Sequence, residues 1–140
     1  MHVRSVPAIV LSLVLGAAAL LTVPSTAWSD GGNATDVEKD WDSCGPGTST
    51  RAKLKVGTLD DNDYRLVVVG TVWSDDSGAW EWKLRHNGEV SDSGRARGNE
   101  DTELSFRVTR TMFNAFGSDD IVFRAENVRT GEVCRAVVDY

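Results

Sequence analysis

The sequence predicts an all-β protein, an antiparallel two-sheet sandwich of about seven strands. From Arg51 onward, apolar and polar residues alternate with period two. Turn residues recur roughly every eight to twelve positions. No stretch of this region sustains a helical period of any length.

The N-terminus reads differently. Residues 1–27 carry Arg4, no acidic side chain and an apolar run from Val6 to Val23, followed by Pro24 and the small residues Ser25 and Ala27. That is the three-part pattern of a secretory signal peptide, with cleavage expected after Ala27. The alternative is an uncleaved anchor, since Val6–Val23 reaches the lower limit of a membrane span. Membrane contact is expected only in that case, and the expected location is extracellular.

Cleavage would remove 27 of 140 residues and leave 113, enough for one domain with a real core. All 21 acidic residues survive and 14 of the 15 Lys and Arg do, giving a net charge of 14 − 21 = −7. A protein this acidic is not expected to have nucleic acid as its main ligand.

Residues 28–43 are acidic, contain glycine and lack an apolar period, so the sequence predicts a flexible leader before a domain spanning 44–140. Trp41 either stands free on the surface or folds back onto the domain. Asn33-Ala34-Thr35 matches a glycosylation sequon, a short pattern that chance also produces. Cys44 and Cys134 are the only cysteines. In an exported chain such a pair predicts a disulfide joining the start of the domain to its end.

Within the domain, Arg51–Thr58 buries Ala52, Leu54 and Val56 and leaves Arg51, Lys53 and Lys55 wet. Tyr64–Trp73 is apolar on both faces and so reads as a central strand, with Gly70 marking a bulge or a close backbone approach. Ala79–His86 alternates Trp80, Trp82, Leu84 and His86 against Glu81, Lys83 and Arg85. Asn87-Gly88 then forms a type I′ hairpin leading into a polar edge strand, Glu89–Arg97. Thr102–Thr109 buries Leu104, Phe106 and Val108. Met112, Phe113 and Phe116 fall at helix-like spacing and predict a helical turn or wide connection over Arg110–Phe116. Asp120–Val128 and Glu132–Tyr140 form the last hairpin, turned at Arg129-Thr130-Gly131.

The order of a central apolar strand, a Trp-bearing strand, an Asn-Gly hairpin, Leu104-Ser105-Phe106 and then Asp119-Asp120-Ile121-Val122-Phe123-Arg124-Ala125 resembles an immunoglobulin-like sandwich, with fibronectin-type topologies also compatible. Phe123 stands where such domains carry a tyrosine, and Ala125 where they carry a cysteine. The tyrosine hydroxyl and the usual inter-sheet disulfide are therefore missing. The resemblance implies a fold and no function.

Catalytic chemistry is thinly supplied. After cleavage His86 is the only histidine, so triads and multi-histidine metal sites are excluded, and its place at a strand end suggests a structural or solvent-facing role. Asp60, Asp61 and Asp63, with Asp75 and Asp76 on the next turn, are candidate Ca²⁺ ligands. Neither turn matches an EF-hand, consecutive turns belong at opposite sandwich ends, and hydrated turn carboxylates explain both. Trp80 and Trp82 share a face with Leu84 and are expected in the core. Trp41 and Trp73 are the aromatics expected to be open to a ligand. Arg95, Arg97, Arg107 and Arg110, with Arg124 and Arg135 on the last hairpin, could form a basic stripe, although alternation alone explains them as wet-face residues.

The expected function is a non-enzymatic extracellular interaction module with a protein or cell-surface glycan partner and no cofactor. The alternatives are a small secreted enzyme inhibitor presenting Ser74–Gly78 or Asn114–Ser118, and a carboxylate-dependent hydrolase.

Overall fold

The computed structural model describes residues 34–140. The signal peptide expected over 1–27, and residues 28–33 with Asn33 of the sequon, lie outside the described residues. The strands are β1 (Ala34–Asp42), β2 (Arg51–Leu59), β3 (Asn62–Trp73), β4 (Ala79–His86), β5 (Glu89–Arg97), β6 (Ser105–Phe113), β7 (Asp120–Asn127) and β8 (Val133–Asp139). They make two four-stranded antiparallel sheets, ordered β1-β2-β3-β6 and β5-β4-β7-β8. The all-β sandwich expected from the alternation is what forms; among the described residues there are eight strands, seven of them within 44–140 and the eighth, β1, before it.

The inward rows meet as a core of Leu54 and Val56, Leu66 and Val68, Trp80 and Leu84, Phe106 and Val108, Ile121 and Phe123, and Ala136 and Val138. Gly70 marks a close approach: a Cβ there would lie 2.6 Å from the Phe123 ring, so that ring packs directly on the β3 backbone. Asn87 and Gly88 both have positive φ (50° and 85°), as a type I′ turn requires.

Two expectations are corrected. The stretch 28–43 is not a flexible leader throughout, because Ala34–Asp42 pairs antiparallel with β2. It lacks an apolar period because the side of β1 that would face the core instead meets the edge of β8. There Asp42 accepts the Arg135 backbone N–H at 2.6 Å and Asp40 accepts that of Val137 at 2.9 Å.

The helical turn expected over Arg110–Phe116 is instead strand as far as Phe113. Long β3 continues to offer hydrogen-bonding partners there, pairing Arg65 with Phe113 and Leu66 with Met112. The pattern misled because Arg110 occupies an inward position. It lies 5.1 Å over the Trp82 ring and pairs with Asp92, closing the sandwich between edge strands β5 and β6. Leu104, at φ 59°, is half-buried instead of buried.

The opposite side of the sandwich is closed covalently. Cys44 and Cys134 form the expected disulfide, with Cα atoms 4.1 Å apart. Farther along, the Tyr140 hydroxyl lies 2.5 Å from the Thr58 hydroxyl and accepts the Thr58 N–H at 3.0 Å. Disulfide, paired carboxylates and tyrosine together fasten β8 to β1 and β2.

Candidate binding face

Strand alternation on β2 sends Arg51, Lys53 and Lys55 away from the core. The register places Trp73 of β3 opposite Arg51 and Trp41 of β1 opposite Lys53. Across β2 the two indoles meet, stacked with centroids 5.5 Å apart and planes 19° from parallel. Arg51 lies 4.9 Å over the Trp73 ring and the Lys53 ammonium 4.5 Å over Trp41. Trp41 is half exposed and Trp73 half-buried. The two candidate aromatics, on different strands, are thus neighbours in one cluster.

The same face continues with Lys39 opposite Lys55, and Arg107 of β6 opposite Thr71. From the Trp73 row to the Lys39 row its outward positions hold no carboxylate. Among the described residues, Lys39, Arg51, Lys53 and Arg107 have no ion-pair partner. The crowding registers in the lysines themselves. Burial, then the charge of Lys39, pushes the Lys53 ammonium below its ordinary pKa. Burial, then Lys53, Arg107 and Lys39, does the same to Lys55. On this face an acidic protein therefore carries a concentrated patch of positive charge.

Stacking changes what the tryptophans can do. Each indole already carries a partner ring and a cation, which leaves less free ring face than side-by-side rings would offer a sugar. Their exposed edges sit among cations, so the cluster suits a ligand that brings negative charge along with apolar surface.

The other candidate residues lie elsewhere. Asp60 and Asp61 occupy the exposed β2–β3 turn and Asp63 lies at the start of β3 beside it, while Asp75 and Asp76 are at the opposite end of that hairpin. Asp75 accepts the Thr48 hydroxyl at 3.0 Å and also that of Ser49. Asp76 accepts the Gly78 N–H at 2.7 Å and pairs with Arg129. Among the described residues, no three His, Cys, Asp or Glu side chains converge on a position that could hold a metal ion.

His86 is a structural anchor. Its Nε2 lies 2.5 Å from Oδ1 of Asp119, which is fully buried and also accepts the Asn87 amide at 3.0 Å and the Ala115 N–H at 3.1 Å. The six arginines do not form a single stripe: Arg107 and Arg110 point to opposite faces of one sheet, while on the other sheet Arg95 pairs with Glu81 and Arg124 lies opposite Arg135.

Alternation places Lys53 and Lys55 on the wet face but does not single them out from other solvent-facing lysines. What no local pattern could reveal was β1, whose pairing brings Trp41 and Lys39 beside them. No family model and no curated protein matches the sequence.

Proposed function

We propose that this is an exported, non-enzymatic interaction module that binds a protein or cell-surface glycan through the outer face of the β1-β2-β3-β6 sheet. The observation that carries the reading is the Trp41–Trp73 stack held between Arg51 and Lys53, in rows of that face whose outward positions hold no carboxylate. Aromatic rings beside unpaired cations concentrate contact energy in few residues, and a local positive field on an acidic molecule selects acidic partners. The disulfide suits an oxidising compartment.

The sandwich itself is proposed to be immunoglobulin-like or fibronectin-III-like. With β2 taken as the first strand, β2-β3-β6 facing β5-β4-β7-β8 matches an A-B-E sheet against C′-C-F-G, with β1 added at one edge. Asp119 at the entry to β7, buried and fully bonded, supports that alignment.

The test is retention of envelope and culture-medium fractions from the producing cells on immobilised protein. Wild type should retain a component that Trp41→Ala and Lys53→Gln release, with the far-ultraviolet spectrum unchanged. Equal retention by all three forms rejects this face as the binding surface.

A second reading, a small enzyme inhibitor, is favoured by the Asn114–Ser118 loop. Phe116 at its tip is 98% exposed, yet the loop is anchored at its base. Asn114 donates from its backbone to Tyr64 O at 2.8 Å and from its side chain to Asp63 O at 2.7 Å. Ser74–Gly78, the other loop expected for this role, is instead tied to Thr48, Ser49 and Arg129. Inhibition of a secreted hydrolase abolished by Phe116→Ser would support this reading.

A further inference from the structure

The opposite face, on β5-β4-β7-β8, carries a concavity of about 440 Å³, within the range of small-molecule sites. Its lining includes Lys83, Arg85, Arg124, Arg135, Val122 and Asp120. Register sets three of the cations in a single row: Lys83 lies opposite Arg124, and Arg124 opposite Arg135. Arg85 lies two residues beyond Lys83, on the same face.

Like charges directly opposite one another destabilise a sheet. Only Arg124 is relieved, by Glu126 at 2.8 Å; among the described residues Lys83, Arg85 and Arg135 have no ion-pair partner. The row therefore costs stability while the concavity is empty and returns it when an anion enters. Arginine forks match the oxygens of a phosphoryl group two at a time, and a lysine adds a point charge. Asp120 would repel a bare polyanion yet can accept hydrogen bonds from hydroxyls beside the phosphate. Val122, buried at the floor, offers an apolar wall to a short carbon skeleton.

We infer that this concavity binds a phosphorylated polyol, with the phosphate on Lys83, Arg85, Arg124 and Arg135 and a hydroxyl on Asp120. The site is separate from the Trp41–Trp73 face and does not depend on it. The ligand unit can be free in solution or be the headgroup of a glycerophospholipid.

The experiment is an amide ¹H–¹⁵N titration with sn-glycerol 3-phosphate at fixed ionic strength. Saturable shifts confined to residues around Lys83, Gly88, Val122 and Arg135 are expected, with glycerol causing none. The double variant Lys83→Gln/Arg135→Gln should bind at least about tenfold more weakly, the equivalent of losing one charge-assisted hydrogen bond. Asp120→Asn, by removing the repulsion, should tighten inorganic phosphate while giving no such gain for glycerol phosphate, which loses its hydroxyl acceptor. Trp41→Ala should leave affinity unchanged, so failure of the other face would not affect the result. Retention of phosphatidylglycerol vesicles over phosphatidylcholine ones, lost in the double variant, identifies the lipid as a source. Its absence alongside saturable soluble binding identifies the free molecule. Shifts that fail to saturate, that sodium chloride reproduces, or that survive the double substitution overturn the inference, as does vesicle retention without soluble binding.

Discussion

Asp42 accepts the backbone N–H of Arg135 at 2.6 Å, and two residues earlier Asp40 accepts that of Val137 at 2.9 Å. Carboxylates spaced by two on β1 thus match amides spaced by two on the free edge of β8, the only spacing at which one strand can serve another this way. An exposed strand edge is a template for pairing with further chains, and these aspartates cover it with charge.

Each of these bonds is charge-assisted but partly reached by water. Asp40→Ala and Asp42→Ala should therefore each cost about 1 kcal/mol in urea denaturation. The double variant should also associate at high concentration, read by light scattering, because the β8 edge is opened. A double variant as stable and as monomeric as wild type would remove any role for β1 in closing the sandwich.

The disulfide closes a loop spanning 90 residues of sequence separation. On the chain-entropy account, Cys44→Ala/Cys134→Ala should lower the unfolding free energy by about 4 kcal/mol, with native strand content kept in the absence of denaturant. A loss under about 1 kcal/mol would mean that the neighbouring Asp42 and Tyr140 contacts already hold β8 in place.

What the sequence made legible was whatever depends on local pattern facing the core. Ala79–His86 has the expected bounds because Trp80, Trp82 and Leu84 all point inward. Asn87-Gly88 was readable because positive φ at two successive positions admits few residues. β1 was not readable, since an acidic, glycine-bearing segment looks the same whether its carboxylates meet water or the amides of a strand more than 90 residues away. Arg110 hid the end of β6 for a related reason: its inward charge is satisfied by Trp82 and Asp92, which lie on β4 and β5. The Trp41–Trp73 cluster depends on that unreadable β1, so its members could be named but not their adjacency.

Gly70 lies beneath the Phe123 ring, where an added Cβ would come within 2.6 Å of Cδ2. Phe123 is fully buried in the core, so making room for the Cβ means displacing packed neighbours. Gly70→Ala should destabilise by about 2 to 3 kcal/mol from overpacking. A combined Gly70→Ala/Phe123→Leu variant should recover part of that loss, which thermal denaturation would show as a midpoint between the single variant and wild type.

Acid should weaken the fold in part through a small set of turn and edge carboxylates. The Ser49 hydroxyl, then that of Thr48, holds Asp75 below the usual aspartate range. The Gly78 N–H, then Arg129, holds Asp76 there. Arg110, then the Ser93 N–H, does so for Asp92. A carboxyl whose pKa falls on folding stabilises the native state above its unfolded pKa of about 4, and that contribution is lost as pH drops through the lower folded value. Asp76→Asn should therefore lower the urea midpoint near pH 6 and have little effect near pH 2. Equal effects at both pH values would assign Asp76 a role independent of its charge.

The lysines of the proposed binding face carry the opposite sign. Burial and neighbouring cations depress the folded pKa values of Lys53 and Lys55, so below those values the charged ammonium groups oppose folding. That penalty disappears only as pH rises through the folded pKa values toward the ordinary lysine value. Lys53→Gln should accordingly stabilise the protein by up to about 0.5 kcal/mol at low salt, after allowing for solvent screening. The gain should shrink as added salt screens the repulsion, and the same substitution should weaken the acidic partner proposed above. Greater stability together with weaker binding would identify the cation cluster as a feature kept at the expense of stability, as binding sites often are. Greater stability with unchanged binding would leave the repulsion in place and move the binding surface elsewhere.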